Sequence, residues 1–170
     1  MKTLIYGAGL LGRKAYSILK SRDDLKIVGF LDDAPLMTES LVCGIPVIGQ
    51  GRDLRRLMRE GIGAICTTLF DGEARIEISR LCERIGFEII AAISPESNID
   101  PEAVIGTGNI ISENVSIGKG VVVGDCCFIA PGIRLGIGEN VEDGTNLQIM
   151  DSGSTPHKRK NITVLSEDWR

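Results

Sequence analysis

The sequence lacks the features by which membrane, secreted and nucleic-acid-binding proteins are usually recognised. No apolar run among its 170 residues approaches the length of a membrane span. The first apolar stretch is interrupted by Gly7 and Gly9, which is too early for a signal peptide. The formal net charge of −4 gives no reason to expect a nucleic acid or an anionic membrane surface as a partner. We therefore expect a cytoplasmic protein with no membrane insertion and no nucleic-acid partner.

The usual metal-binding and catalytic side chains are also scarce. His157 is the only histidine in the chain. The cysteines are odd in number and lack the spacing of a metal site: Cys43, Cys66, Cys82, Cys126 and Cys127. We therefore predict no metal site and expect reduced thiols, as in a cytosolic protein.

A six-residue repeat dominates the second half of the chain. An aliphatic residue stands at every sixth position: Ile93, Ile99, Ile105, Ile111, Ile117, Val123, Ile129, Leu135, Val141 and Leu147. This period is neither the 3.6 residues of a helix nor the two of a strand, as side-chain direction along each element requires. It is typical of a hexapeptide-repeat β-helix, in which short strands turn corners and stack coil on coil. The alternative is a sandwich of ordinary strands, which needs a turn about every 8–12 residues.

The other repeat positions agree with a β-helix. Three residues after the aliphatic there is often glycine or asparagine, which tolerate the positive φ of a sharp corner. The examples are Gly108, Asn114, Gly120, Gly132, Gly138 and Gly144. Small or branched residues often follow one position later, although Glu139 and Asp151 break this second row. An aliphatic run at residues 162–165 predicts a strand that closes the open end.

The first half has a different pattern, in which strands and helices alternate. Strands are predicted at residues 2–6, 25–31, 64–69 and 87–92, and a short β-element or loop at residues 44–49. Helices are predicted at residues 11–21, 53–60 and 73–85. Such alternation predicts a parallel sheet covered on both faces. We therefore predict an α/β domain over residues 1–92 and an all-β domain over residues 93–170.

A glycine motif follows the first predicted strand. Residues 7–12 match G-x-G-x-x-G: Gly7 permits a tight turn, Gly9 lets a phosphate approach, and Gly12 lets helix and strand pack closely. Asp32 lies 20 residues after Gly12, where a Rossmann unit places its ribose-binding acid. The alternative is a strand–helix turn that merely needs glycines, with Asp32 as a helix cap or a solvated side chain.

The combination of the two halves resembles the acetyltransferases of bacterial sialic acid and bacillosamine synthesis. The resemblance is carried by residues 7–9, 29–33, 44–49 and 124–132. It implies a small Rossmann-like sheet followed by a left-handed β-helix, assembled as a homotrimer. It also implies a nucleotide-activated sugar in the first domain and acetyl-CoA as co-substrate along the β-helix.

Candidate site residues follow from this resemblance. The sugar nucleotide would lie near Gly7, Gly9, Leu10, Asp32 and Asp33. Acetyl-CoA would lie near Ala130 and Gly132, with its phosphates near Lys158 and Arg159. For Lys158 and Arg159 the alternative is a solvated run of charges.

The sequence departs from the family at the catalytic base. The two places at which the family has histidine fall on Lys119 and Phe128. A lysine is protonated near pH 7 unless its pKa is strongly lowered. His157 is therefore the candidate replacement base, since other hexapeptide acetyltransferases carry a catalytic histidine on a loop after a similar run. The alternative is a solvated histidine without a catalytic role.

Three functions remain open from the sequence. The first is an acetyl-CoA-dependent acyltransferase that acts on a nucleotide-linked amino sugar. The second is a non-catalytic relative that binds a nucleotide sugar or serves as a trimeric scaffold. The third is an NAD-binding oxidoreductase or redox sensor, which rests on the glycine motif and Asp32 alone.

Overall fold

The structure of the protein is a computed structural model, which describes residues 1–37 and 39–148 and the backbone of residues 162–164. The strands of the first part are β1 Lys2–Tyr6, β2 Lys26–Leu31, β3 Leu41–Val42, β4 Ile45–Gly49, β5 Ala64–Thr67 and β6 Glu88–Ile89. The helices are α1 Leu10–Leu19, α2 Leu54–Arg59 and α3 Gly72–Ile85, with short 3-10 turns at Pro35–Met37 and Gly51–Asp53. Apart from the strand predicted at residues 87–92, each helix and strand predicted in this part begins and ends within two residues of these bounds.

These elements form one sheet in the order β3-β4-β2-β1-β5-β6. Every neighbouring pair is parallel except β3 and β4, which form a tight hairpin. Cys43 and Gly44 have positive φ at the hairpin turn, as a two-residue turn of this kind requires. β2 follows β1 on one side and β5 lies on its other side, so the chain order reverses beside β1. In such sheets ligands bind outside the carboxyl ends of the strands at this point.

The second part consists of stacked two- and three-residue strands. They are β7 Ala92–Ile93, β8 Asn98–Ile99, β9 Val104–Ile105, β10 Ile110–Ile111, β11 Ser116–Ile117, β12 Val122–Val123, β13 Phe128–Ile129, β14 Arg134–Leu135, β15 Asn140–Val141 and β16 Asn146–Gln148. The second residue of each strand is a member of the six-residue aliphatic ladder. Each strand pairs with the strand 18 residues further along, so three hexads make one coil. The predicted left-handed β-helix after a Rossmann-like sheet is confirmed.

The interior of the β-helix is filled as the repeat predicts. The ladder residues from Ile111 onward are buried, together with second-row residues such as Val115, Val121, Cys127 and Ile133. Ile93 is 37% exposed because it belongs to the first coil, which has a neighbouring coil on one side only. The predicted corner residues Gly108, Asn114, Gly120, Gly132, Gly138 and Gly144 all have positive φ.

The strand predicted at residues 87–92 is wrong in its second half. β6 ends at Ile89, and Ala92 instead pairs with Ile110 in the first sheet of the β-helix. The amide of Ala92 donates to the carbonyl of Asn109, so this residue is already part of the first coil. An apolar residue next to a strand gives no local sign of which sheet it joins. The domain boundary at residues 92 and 93 stays a prediction.

The backbone of residues 162–164 adds a further strand to the β-helix. This strand, β17 Ile162–Val164, lies parallel to β16 at the end of the β7–β10–β13 sheet. The closing strand predicted from the aliphatic run is therefore present at the last described coil.

The two parts are packed together along one face of the β-helix. Ala92, Ile110 and Phe128 are buried in the same cluster as Ala15 and Leu19 of α1. These residues precede the inward ladder residues, so their side chains leave the β-helix on its outer face. The seam is apolar in its centre, and it places α1 directly beside the coils.

Polar contacts extend this seam on both sides. Lys14 of α1 forms an ion pair with Glu113, at 2.7 Å to each carboxylate oxygen. On the other side, the buried guanidinium of Arg75 in α3 donates to Cys126, Gly144 and Asn146 of the β-helix. A Cβ on Gly72 would overlap the carbonyl oxygen of Gly144, so α3 begins in backbone contact with a coil corner.

Among the described residues, no helix is both long enough and apolar enough to span a membrane.

The cysteines differ sharply in exposure, which predicts selective labelling. Cys43 is exposed, whereas Cys66, Cys82, Cys126 and Cys127 are buried. Burial raises the pKa of Cys66 to about 12 and that of Cys127 to about 11. The thiolate is the reactive form, so at pH 8 we expect a disulfide reagent to label one thiol in the folded protein and five after denaturation.

The control for this measurement is Cys43→Ser. It should abolish labelling of the folded protein and leave four thiols reactive in denaturant. Rapid labelling of more than one thiol in the folded wild-type protein would contradict the burial described above.

Candidate functional site

The carboxyl ends of β1, β2, β4 and β5 meet at one edge of the sheet. Their following loops contain Gly7, Asp32, Gly51 and Thr68. The structure brings all four loops into direct contact through hydrogen bonds between neighbours. This edge contains the sequence-predicted sugar-nucleotide residues and lies at the reversal of strand order, so it is the first candidate site.

The glycine loop has the geometry that the motif predicts. Gly7 has φ +108°, a conformation that L side chains rarely adopt, and its amide donates to Leu31 at 2.8 Å. A Cβ on Gly12 would overlap the carbonyl oxygen of Gly7, so the close packing of α1 on β1 requires glycine at this position. A Cβ on Gly9 would meet nothing within 4 Å, so the space in front of this loop is open.

The first turn of α1 faces this open space without a cap of its own. No side chain caps the helix, and its first turn contains no acidic residue. The first amides of a helix lack partners within it and attract anions. Leu10 is 77% exposed and leaves the turn accessible. The loop and helix together can accept a phosphate, whose binding there stays a prediction.

Asp32 contacts the glycine loop. One carboxylate oxygen accepts from the amide of Ala8 at 2.8 Å, and the other accepts from the amide of Ala34 at 2.9 Å. The carboxylate therefore ties the loop after β2 to the loop after β1. Each oxygen has a second lone pair, which a ribose hydroxyl can use. Its role as a ligand stays a prediction.

Asp33 is held by two groups that the sequence did not single out. It accepts a hydrogen bond from the Tyr6 hydroxyl at 2.5 Å and another from the Gly51 amide at 2.8 Å. Burial of Tyr6 and its bond to Asp33 raise the Tyr6 pKa well above its usual value. A Cβ on Gly51 would overlap the Tyr6 hydroxyl, so this glycine is needed for the contact.

Thr68, which directly follows β5, contacts the glycine loop. Its buried hydroxyl lies at 2.8 Å from the carbonyl oxygen of Tyr6 and at 2.9 Å from that of Gly7. Thr68 and Gly51 follow strands that are distant in sequence from the glycine motif. No local sequence signal could therefore have assigned them to this site.

The β-helix residues predicted to bind acetyl-CoA lie near one corner. Ala130 is partly buried and packs against both the seam and the interior of the β-helix. Gly132 is exposed at the corner with φ +76°, and a Cβ added to it would meet nothing within 4 Å. Gly132 is thus accessible to a ligand, whereas Ala130 contributes mainly packing. His157, Lys158 and Arg159 lie outside the described residues.

The two places at which the resembling family has histidine are not suited to proton transfer here. Lys119 is exposed and forms an ion pair with Glu102 at 2.8 Å. Phe128 is buried in the seam between the two parts. Neither side chain offers a base to a substrate.

A polar cleft of about 400 Å³ lies between α1 and the first two coils. It is lined by Lys14, Ser17, Ile18, Ser21, Ser94, Pro95, Glu96 and Glu113. The hydrogen bond from Lys14 holds the pKa of Glu113 below its usual value. The Glu96 carboxylate has no ion-pair or hydrogen-bond partner among the described residues. The cleft therefore offers hydroxyl groups and an available carboxylate.

A buried hydroxyl lies in the wall beside this cleft. Ser112 lies one coil after Ser94 and directly before Glu113, and both of those residues line the cleft. Its Oγ atom is buried and has no hydrogen-bond partner. No group of three or more metal-ligating side chains occurs among the described residues.

Comparisons with known proteins found a matching sequence family for the first part and similar solved structures for the two parts together. Residues 2–81 match the family described as the PglD N-terminal domain. No curated protein sequence matches the chain. Similar folds are found in PerB from Caulobacter crescentus, solved with CoA and GDP-perosamine, and in the acetyltransferase domain of PglB from Neisseria gonorrhoeae, solved with acetyl coenzyme A.

The extent of this similarity is consistent among the solved structures. PerB has 22% sequence identity and a TM-score of 0.79, over 86% of this chain and 68% of PerB. The PglB domain has 23% identity and a TM-score of 0.77, over 86% of this chain and 69% of that domain. WeeI from Acinetobacter baumannii has 15% identity and a TM-score of 0.71, over 86% and 69% of the two chains. Residues 2–81 are therefore similar to the PglD N-terminal domain, and the chain has the two-part fold of these solved structures.

Proposed function

We propose that this chain is an acetyl-CoA-dependent acyltransferase that acts on a nucleotide-linked amino sugar. The observation that carries the proposal is the open glycine loop at the sheet edge, beside a polar cleft that reaches the β-helix. The proposal is supported by the ligands of PerB and of the PglB domain, which are CoA with GDP-perosamine and acetyl coenzyme A. In this proposal the nucleotide binds near Gly7, Gly9, Leu10, Asp32 and Asp33.

Helix α1 supplies a route from the nucleotide to the cleft. Lys14 and Ser17 of the cleft lie about one and two turns beyond Leu10, which is about 6 Å and 10 Å along the axis. A diphosphate at the start of α1 would therefore direct the attached sugar into the cleft. The hydroxyls of Ser17 and Ser21 and the carboxylate of Glu96 suit a sugar that carries hydroxyl and amino groups.

Acyl transfer requires a base that removes a proton from the attacking group. The Lys119 amine is engaged in an ion pair with Glu102, and Phe128 has no proton-accepting atom. We therefore retain His157 as the proposed base, with Lys158 and Arg159 as proposed contacts of the CoA phosphates. Gly132 is the proposed contact on the β-helix, since it is exposed at its corner.

The proposal is tested by thiol release from acetyl-CoA in the presence of UDP- or GDP-linked amino sugars. We expect turnover with at least one of them, and we expect His157→Ala to lower kcat by about a hundredfold or more. Glu167→Ala, in the same region of the sequence, is the control and should keep its activity. Full activity of His157→Ala would contradict the role of this residue, and absence of turnover would contradict the enzymatic proposal.

The second candidate is a nucleotide-sugar-binding relative without catalysis. The paired state of Lys119 and the burial of Phe128 favour it, because they remove both family positions for a base. Its signature would be a higher Tm with a sugar nucleotide but no thiol release. Stabilisation by NADH alone would instead support the oxidoreductase candidate.

We also propose a homotrimer in the cytoplasm. Val104 and Val122 are neighbours on one outer face of the β-helix and are 60% and 44% exposed. These two valines are the exposed apolar residues on this face that an interface between subunits would cover. The reduced cysteines favour the cytoplasm. Light scattering should give three times the 18.3 kDa mass of the chain.

A further inference from the structure

We infer that Arg13 and Arg52 bind the diphosphate of the nucleotide from two sides of the glycine loop. This inference rests on the proposed nucleotide-sugar function and adds to it the residues that neutralise the ligand's charge. It follows from the charges at the sheet edge, from the position of each arginine, and from the absence of hydrogen bonds and ion pairs of both side chains among the described residues.

The sheet edge is acidic, and its acids already have structural partners. Each carboxylate accepts a hydrogen bond from an amide of the chain: Asp32, Asp33, Asp53 and Asp71. Arg56 lies 3.4 Å from Asp53 and compensates that one charge. A diphosphate that enters this edge brings further negative charge, so its binding requires cations in addition to the amides of α1.

Arg13 is placed on the accessible side of the first turns of α1. It follows Gly9 and Leu10 by four and three residues, so the three share one face of the helix. Long helical side chains lean toward the N-terminus of their helix, which is the end that faces the glycine loop. Arg13 is exposed, and Leu10 on the same face is also exposed. Its guanidinium can therefore cover the first turn of α1.

Arg52 is placed at the opposite side of the same edge. The preceding amide, of Gly51, is fixed to Asp33 at 2.8 Å, and Asp33 is bound to Tyr6 directly before the glycine loop. The backbone of Arg52 is thus fixed beside the predicted nucleotide residues, while its side chain is exposed. An arginine side chain is long enough to extend over the loops from this position.

Neither arginine side chain has a hydrogen bond or an ion pair among the residues that the structure describes. Two other arginines near this edge are engaged, Arg56 with Asp53 and Glu60 and Arg75 with carbonyl groups. A guanidinium matches phosphate with two parallel hydrogen bonds, which an ammonium cannot do. Two such groups on either side of an uncapped helix start are suited to a nucleoside diphosphate.

The test compares ligands with and without phosphates. Calorimetry with UDP and GDP measures diphosphate binding, and ligand-observed NMR with uridine and guanosine measures the nucleosides. We expect Arg13→Ala and Arg52→Ala each to weaken diphosphate binding by about tenfold or more. Nucleoside binding should stay within twofold of wild type, and the dependence of diphosphate affinity on salt should become shallower.

Arg80→Ala is the matched control, since Arg80 is an exposed arginine well inside α3 and distant from the sheet edge. It should bind diphosphate as the wild type does. The inference is overturned if the wild type binds a diphosphate and both edge variants bind it equally well, or if nucleoside and diphosphate weaken together. If the wild type binds none of the four probes, the proposed nucleotide function itself fails.

Discussion

Replacing Arg75 by alanine is expected to lower the free energy of unfolding by about 3–5 kcal/mol, because several buried oxygens lose the charged donor that they share. Arg75 is 0% exposed and lies where α3 meets the β-helix. Its removal should also loosen the contact between the two parts. Urea unfolding gives the free energy, and hydrogen exchange at residues 126 and 144–146 reports the contact.

The physical reason is the number of oxygens that one guanidinium serves. Its Nε donates to the Cys126 carbonyl at 2.7 Å, and a terminal nitrogen donates to the Asn146 side chain at 2.8 Å. The other terminal nitrogen donates to the carbonyl of Leu69 at 2.5 Å. Alanine would leave these buried oxygens without donors and would add a cavity.

No carboxylate lies within ion-pair distance of Arg75 among the described residues. Burial lowers the pKa of its guanidinium, although an arginine side chain is not deprotonated in proteins. Lysine has a compact ammonium group and cannot reach oxygens on several elements at once. We therefore expect Arg75→Lys to lose most of the free energy of unfolding that Arg75 contributes.

Arg80→Ala on the same helix is the control, because Arg80 is exposed. It should change the free energy of unfolding by less than about 0.5 kcal/mol, as is usual for surface sites. If Arg75→Ala does not fold, Arg75→Lys provides the measurement. An Arg75 variant as stable as Arg80→Ala would show that the two parts do not depend on this contact.

Arg75 also illustrates what the sequence could not reveal. The helical pattern at residues 73–85 predicts α3, but an arginine on such a helix is ordinarily a solvated residue. Its partners Cys126 and Asn146 are 51 and 71 positions away. This side chain is buried and hydrogen-bonded only because α3 packs on the coils. Ala92 was assigned to the wrong sheet for the same reason, since its pairing depends on Ile110, 18 residues away.

Features that repeat or act locally were predicted well. The ladder from Ile93 to Leu147 gives the β-helix because each hexad builds the same turn and strand. The glycine motif gives the turn after β1 because its constraint acts over residues 7–12. The spacing of Asp32 predicts a ribose-binding acid, which stays a prediction, and its hydrogen bond to the Ala8 amide could not be read from the sequence. Gly51 and Thr68 join the site through strand order alone, whereas Tyr6 directly precedes the glycine loop in the sequence.

Within the glycine motif, Gly12→Ala is expected to lower the free energy of unfolding, whereas Gly9→Ala is expected to weaken diphosphate binding. A Cβ at residue 12 would overlap the carbonyl oxygen of Gly7, a backbone atom fixed by the Thr68 hydroxyl. Alanine gains about 1 kcal/mol of helix propensity over glycine, while overpacking costs up to about 3 kcal/mol or more. We therefore expect a net loss of about 2 kcal/mol in the free energy of unfolding, measured in urea.

At residue 9 the added methyl group enters open space. Gly9 has φ −77° and ψ −157°, which alanine can adopt, and nothing lies within 4 Å of its Cβ position. The free energy of unfolding should therefore change by less than about 1 kcal/mol, the usual cost at a helix N-cap. The methyl group would nevertheless stand where a phosphate must approach the backbone, so diphosphate binding should weaken by about tenfold or more.

The pair of variants separates the structural role of the motif from its binding role. Gly12→Ala tests close packing of α1 on β1, and Gly9→Ala tests phosphate approach at unchanged stability. A stable Gly9→Ala protein that binds UDP or GDP as tightly as wild type would place the phosphates elsewhere. The motif would then serve only the turn between β1 and α1, which is the alternative that the sequence left open.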